Sequence, residues 1–128
     1  MIHREVSDIA SEWVTVWSKP EPPAIAAGDC GESVLDWELP REYPEVCWKV
    51  ILHVLGMIQA TGADRHFQVL AAGPLEDLLS NHGEAFIDRV EAEAKRNPAF
   101  ALLLGGVWQH TMSDEVWTRV QSCAKEPW

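Results

Sequence analysis

Between residues 44 and 62 the chain carries an apolar run with very little polar relief. Cys47, Trp48, Val50, Ile51, Leu52, Val54, Leu55, Met57 and Ile58 leave only Lys49, His53 and Gly56 as a narrow polar stripe. A helix of this composition is apolar nearly all round and is stable in water only when other elements cover it. The fold is therefore expected to be built around this segment. Pro44 suits a first helical turn, where its missing N–H is no loss, and Glu45 suits the positive helix end. Gly62 supplies a stop. The run is too short and too interrupted to span a bilayer.

What covers it is read from the remaining periodicity. The spacing predicts a helix over 5–18, with Val6, Ile9, Trp13, Val16 and Trp17 on one face and Glu5, Asp8 and Glu12 on another. Lys19-Pro20-Glu21-Pro22-Pro23 ends it, and residues 20–32 read as a long Pro/Gly/Ala loop. A short helix is expected over 33–39, carrying Leu35 and Trp37. Downstream, punctuation predicts short helices: 64–72, stopped by Gly73, then one begun by Pro74 with Leu75, Leu78 and Leu79 inward, stopped by Gly83. A helix over 84–96 buries Phe86, Ile87, Val90 and Ala94, with Arg89/Glu93 and Glu91/Lys95 pairs four residues apart on its outer face. Asn97-Pro98 opens a helix over 100–108, softened by Gly105-Gly106. Ser113 caps a last helix with Val116, Trp117, Val120 and Cys123 inward.

No strand alternation and no hairpin signal is present. The expectation is one all-α domain over 1–128, a compact bundle of six or seven mostly short helices. Solenoid-like helical hairpins in the C-terminal half are an alternative, because GPLEDLL resembles a helix start in armadillo-type repeats, but no fixed period recurs. From Leu70 the text LAAGPLEDLLSNHGEAFIDRVEAEAKRNPAFALLLGGVW, followed by DEVWTRV, resembles a small family of uncharacterised bacterial domains that share a GPLEDLL, HG, FI, NP and GGVW pattern. The likeness covers about 70–120, and the WELP and PEVCW segments extend it. It implies a bacterial or phage origin and transfers no catalytic residue.

The 128 residues carry a net charge of −10. Residues 1–48 hold ten acids against three bases, so the acidity is concentrated in the first third. This argues against direct binding to nucleic-acid phosphates or an anionic membrane and favours a basic protein surface as partner. The N-terminus shows no basic leader and no continuous apolar segment, so no signal peptide is expected. Three cysteines, Cys30, Cys47 and Cys123, make no disulfide framework and suit a reducing cytoplasm.

Catalytic signatures are weak. Cys47 and His53, six apart, fall on different helical faces, and no closely spaced Cys or His pair offers a zinc site, so neither metal nor cofactor is expected. Cys47 with His53, or Cys123 with His110, would have to meet in space to form a nucleophile. The acid pairs Glu76-Asp77 and Asp114-Glu115 fit helix-dipole compensation at helix starts. Gly105-Gly106 and Gly28-Asp29-Cys30-Gly31 match neither a P-loop nor a dinucleotide fingerprint.

Seven tryptophans are the most unusual feature of the composition. Most sit in helical stripes, but Trp37 lies in a proline-bounded acidic segment with Asp36, Glu38, Glu42, Tyr43 and Glu45. Aromatic anchors ringed by acids suit a basic partner, so these six are the expected partner-binding residues. The expected function is a non-enzymatic acidic binding protein of the inhibitor, immunity-protein or adaptor kind, covering a basic surface. One alternative is a phage-type, anti-CRISPR-like nucleic-acid mimic, with Glu5, Asp8 and Glu12 as a short row of charge. Another is a small enzyme joining an acid pair to His66, His82 or His110. Homo-oligomerisation is compatible with all three.

Overall fold

The computed structural model describes residues 5–18, 35 and 38–125. The loop expected at 20–32, Cys30, Trp128 and two expected partner-binding residues, Asp36 and Trp37, lie outside the described residues. Within them the chain forms α1 (Val6–Trp17), α2 (Glu38–Glu42), α3 (Pro44–Leu55), α4 (Arg65–Leu70), α5 (Glu76–Arg96), α6 (Pro98–Leu104) and α7 (Asp114–Cys123). No strand occurs among the described residues, and the fold is all-α.

The apolar helix is central, as its composition requires. α3 buries Cys47, Trp48, Val50, Ile51, Val54 and Leu55 and leaves Lys49 and His53 exposed. α1, α2, α5 and α6 all pack against it. α1 presents Ile9, Ala10, Trp13 and Val16, while Trp17 stays half-buried under the Arg65 guanidinium, 5.7 Å from its ring centroid. Trp48 forms the aromatic centre, with ring centroids 5.9 Å from Phe86 and 5.5 Å from Phe100.

The glycines at 73 and 83 do not stop helices. α4 runs through a π-helical turn, Ala71–Leu75, directly into α5. The physical reason is a continuous apolar stripe: Phe67, Leu70, Ala71, Pro74, Leu75, Leu78, Leu79, Gly83, Phe86, Ile87, Val90 and Ala94 recur three or four residues apart, and all are buried. Burying that stripe outweighs two glycines at about 1 kcal/mol each. Pro74 is tolerated because the wide turn re-pairs the backbone around its missing N–H. The Glu76 N–H reaches back five residues to the Ala71 carbonyl. The only break in helical geometry inside α5 is a kink at His82, with φ −136° and ψ 24°. Its Nε2 lies 2.9 Å from the Arg41 carbonyl oxygen of α2. A carbonyl only accepts, so Nε2 carries the hydrogen and ties α2 to the kink.

Gly83 has a different role from a stop. A Cβ there would lie 2.9 Å from Val116 Cγ1, so the glycine permits close approach of α5 and α7. The long α5 also packs on α2, α3 and α6, which is a single compact arrangement and not a stack of hairpins.

The expected caps form at α6, where Asn97 Oδ1 accepts from the Phe100 N–H, and at α7, where Ser113 Oγ accepts from the Val116 N–H. α6 ends at Leu104, earlier than the periodicity predicts, and the chain continues irregularly to α7. His110 in that connection has φ 49°, in the left-handed region. The i,i+4 ion pairs expected along α5 are replaced by pairs to other elements. Arg89 reaches Glu45 of α3, and Arg119 of α7 reaches Asp88 and Glu91. Glu93, the one buried charged residue among those described, is held by Arg96 and by Asn97 Nδ2.

Candidate interaction surface

Four of the six expected partner-binding residues are described, and they cluster around α2. Glu38, Glu42 and Tyr43, together with Arg41, line a shallow depression of about 370 Å³. Pro40, expected to break the chain, instead lies buried within the first turn of α2, and Pro44 opens α3 two residues after α2 ends, which leaves Glu42 exposed and Glu38 half-exposed. Glu45 lies in the first turn of α3 and is committed elsewhere. Arg89 donates two hydrogen bonds of 2.7 Å to its carboxylate, which hold the carboxyl below its usual range. Its charge is therefore locally compensated.

The charge pattern over the described surface is uneven. Arg89, Arg96 and Arg119 are paired with Glu45, Glu93, Asp88 and Glu91. Among the described residues no ion pair reaches Glu5, Asp8, Glu38 or Glu42. These four acids, outside any ion pair among the described residues, fall within the acidic first third of the sequence.

A second surface was not anticipated. Trp108 is 74% exposed, far more than any other described aromatic, and forms one wall of an apolar groove of about 460 Å³. Leu104, Val107, Trp117, Val120, Gln121 and Lys125 contribute to the groove. The signal was present in GGVW: two glycines end α6 and leave the tryptophan on irregular chain with no helical face to bury it. Its backbone N–H donates to Glu76 Oε1 at 2.9 Å.

Glu76 and Asp77 do not compensate a helix start, because the helix already runs through them from α4. Glu76 receives Trp108. Half-burial pushes the Asp77 carboxyl up, with Glu76 adding to the rise and Arg41 and His110 opposing it. Asp114 and Glu115 do occupy the first turn of α7. A third concavity, about 440 Å³, borders the His82 kink and is lined by Ser80, Asn81, His82, Glu84 and Ser113 among others. None of these three concavities joins Glu76 and Asp77 to a histidine.

The two described cysteines, Cys47 and Cys123, are placed opposite to nucleophile requirements. Burial, with the Asp77 charge adding to it, drives the Cys47 thiol far up, while His53 is exposed. Cys123 is also pushed up by burial and by Glu91. No cluster of three or more His, Cys, Asp or Glu side chains able to hold a metal occurs among the described residues. No described helix is long and apolar enough to cross a membrane.

Among the described residues these features define an all-helical domain with an acidic edge at α1 and α2 and an apolar groove walled by the exposed Trp108. The chain belongs to the family of unknown function DUF6869, whose profile covers residues 31–128. The match contains the whole GPLEDLL-to-GGVW stretch and the WELP and PEVCW segments. No curated protein and no solved structure matches the chain.

Proposed function

We propose that this protein is a non-enzymatic binding module of the cytoplasm that neutralises a protein partner by covering a basic surface. The observation that carries the reading is the set of acids on α1 and α2 that no described ion pair reaches, while the arginines of α5 and α7 are engaged within the fold. Such charges raise the rate of encounter with a cationic surface and select against anionic ones. Glu38 and Glu42, which line one depression with Tyr43, form the contact, and Asp36 and Trp37 extend it in sequence. Glu45 has a lesser part, because binding there must compete with Arg89.

The test is affinity co-purification of the tagged chain from its native host, at low and at high salt, beside an E38K/E42K variant. The expected result is a stoichiometric partner with a basic surface, depleted at high salt and lost from the variant. Recovery of the same partner in equal amount from the variant refutes the contact. DNA competition separates a second reading. The exposed Glu5 and Asp8 at the start of α1 offer a short acidic row, and displacement of the partner by DNA would favour a nucleic-acid mimic over simple occlusion.

A further inference from the structure

We propose that the groove walled by Trp108 docks a basic amphipathic segment of a protein partner. An apolar side chain of that segment enters the groove, and a neighbouring lysine or arginine lies against the indole, toward Glu76. The inference rests on the reading of a basic partner and adds the apolar anchor that the acidic contact on α2 lacks. Exposed acids speed encounter, whereas lasting affinity comes from buried aromatic and aliphatic anchors. Trp108 is 74% exposed, and Leu104, Val107, Trp117 and Val120 line the rest of the hollow of about 460 Å³.

The charges at the two ends of the groove select the occupant. Glu76 Oε1 accepts the Trp108 backbone N–H at 2.9 Å. The side-chain amide of Gln109, the next residue, donates to Asp114 Oδ1 at 2.8 Å. Two carboxylates are thereby held at the Trp108 end, and among the described residues no ion pair reaches either. An open indole beside such carboxylates attracts a cation through the ring quadrupole and through charge. Lys125 is the one charged residue among the described residues lining the groove. It lies at the opposite end, past the last turn of α7, where its backbone N–H donates to the Ala101 carbonyl at 3.0 Å. Asp114 and Cys123 begin and end α7, so about 15 Å of helix separates the two ends. A segment that places its base at the Trp108 end keeps that base away from Lys125.

The test is calorimetric titration of the purified full chain with three synthetic helical peptides. One carries a leucine face and a lysine face, the second the same leucines with glutamates, and the third the same lysines with serines. The lysine–leucine peptide is expected to bind tightest, at least about tenfold above each of the others. It should also shift the Trp108 indole N–H resonance, identified by its absence from W108A. W108A should weaken that peptide by about tenfold or more, with an unchanged helical signal in circular dichroism, because the side chain removed is exposed. E76Q keeps an acceptor for the Trp108 N–H and removes the charge. It should weaken the lysine–leucine peptide about twofold to fivefold, the scale of an exposed ion pair, and decides the matter if W108A unfolds. E38K/E42K separates this site from the α2 contact. Binding lost in E38K/E42K and retained in W108A and E76Q overturns the groove and leaves the α2 reading standing, while the converse supports the groove alone. A glutamate–leucine peptide that binds as tightly as its lysine counterpart, or a wild type that binds none of the three, also overturns the proposal.

Discussion

Replacing Gly83 with alanine should destabilise this protein, although alanine is the better helix former. The new Cβ would lie 2.9 Å from Val116 Cγ1, 3.5 Å from Cγ2 and 3.6 Å from Cβ. Val116 is almost fully buried on α7 and β-branched, so its χ1 has little freedom, and rotating it exchanges one methyl for the other. The strain must therefore pass into the α5–α7 packing. Overpacking by one methyl costs about 1–3 kcal/mol. The helix-propensity gain returns about 1 kcal/mol. The net expected loss is centred on about 1 kcal/mol and is at most about 2 kcal/mol. With an unfolding entropy of about 2.1 cal/mol/K per residue, that lowers Tm by about 4 °C, and by about 7 °C at most, for a chain of this length. Scanning calorimetry and urea unfolding would measure it. V116A alone should cost about 2 kcal/mol through the space it leaves. Combined with G83A, it should be less damaging than the sum by about 1 kcal/mol or more, because each change relieves the other. A G83A protein that melts at or above wild type, or strict additivity in the pair, would refute the close-approach argument.

Three further outcomes are expected. W48A removes the ring packed against Phe86 and Phe100 and should lower stability by about 3–5 kcal/mol in urea unfolding. N97A removes both the α6 cap and a hydrogen bond to the buried Glu93, and should cost about 1–2 kcal/mol, more than a cap alone at an exposed site. D77N should raise the melting temperature at neutral pH. A carboxyl pushed up by burial supports the fold fully below its ordinary value of 3.8 and loses that support as pH rises through the folded value. The neutral amide retains it, so the advantage of D77N should shrink as the pH falls toward that value. A difference that is constant across the pH series would count against burial as the cause.

Helix content was legible because apolar spacing was legible. α3, α6 and α7 begin at the proline and the caps that the sequence displays, and α3 is central for the reason its composition implies. Gly73, Pro74 and Gly83 read as stops and starts in the sequence, yet the apolar stripe from Phe67 to Ala94 carries the helix through all three. Local punctuation has a small and nearly fixed cost, whereas each buried apolar side chain contributes about 1.5–3 kcal/mol, so a long unbroken stripe prevails. The pairing of Arg89 and Arg119 was not legible, since an arginine four residues from a glutamate in sequence also lies within reach of other helices. At the surface, the exposed acids followed from charge counting. Trp108 did not, because a helix carried through Gly105-Gly106 to 108 hides what those glycines do by ending α6 at Leu104.

The continuous run from α4 through the π turn into α5 also decides where this chain tolerates a cut. Every other helix rests on some part of that run, so severing it would release the structure on both sides. The connection between α3 and α4 is different: Gln59, Ala60, Thr61 and Ala63 are all exposed. Breakage there leaves α1–α3 on one fragment and α4–α7 on the other, joined by Trp48 against Phe86 and Phe100. The two pieces, expressed separately, have the makings of a self-reassembling pair.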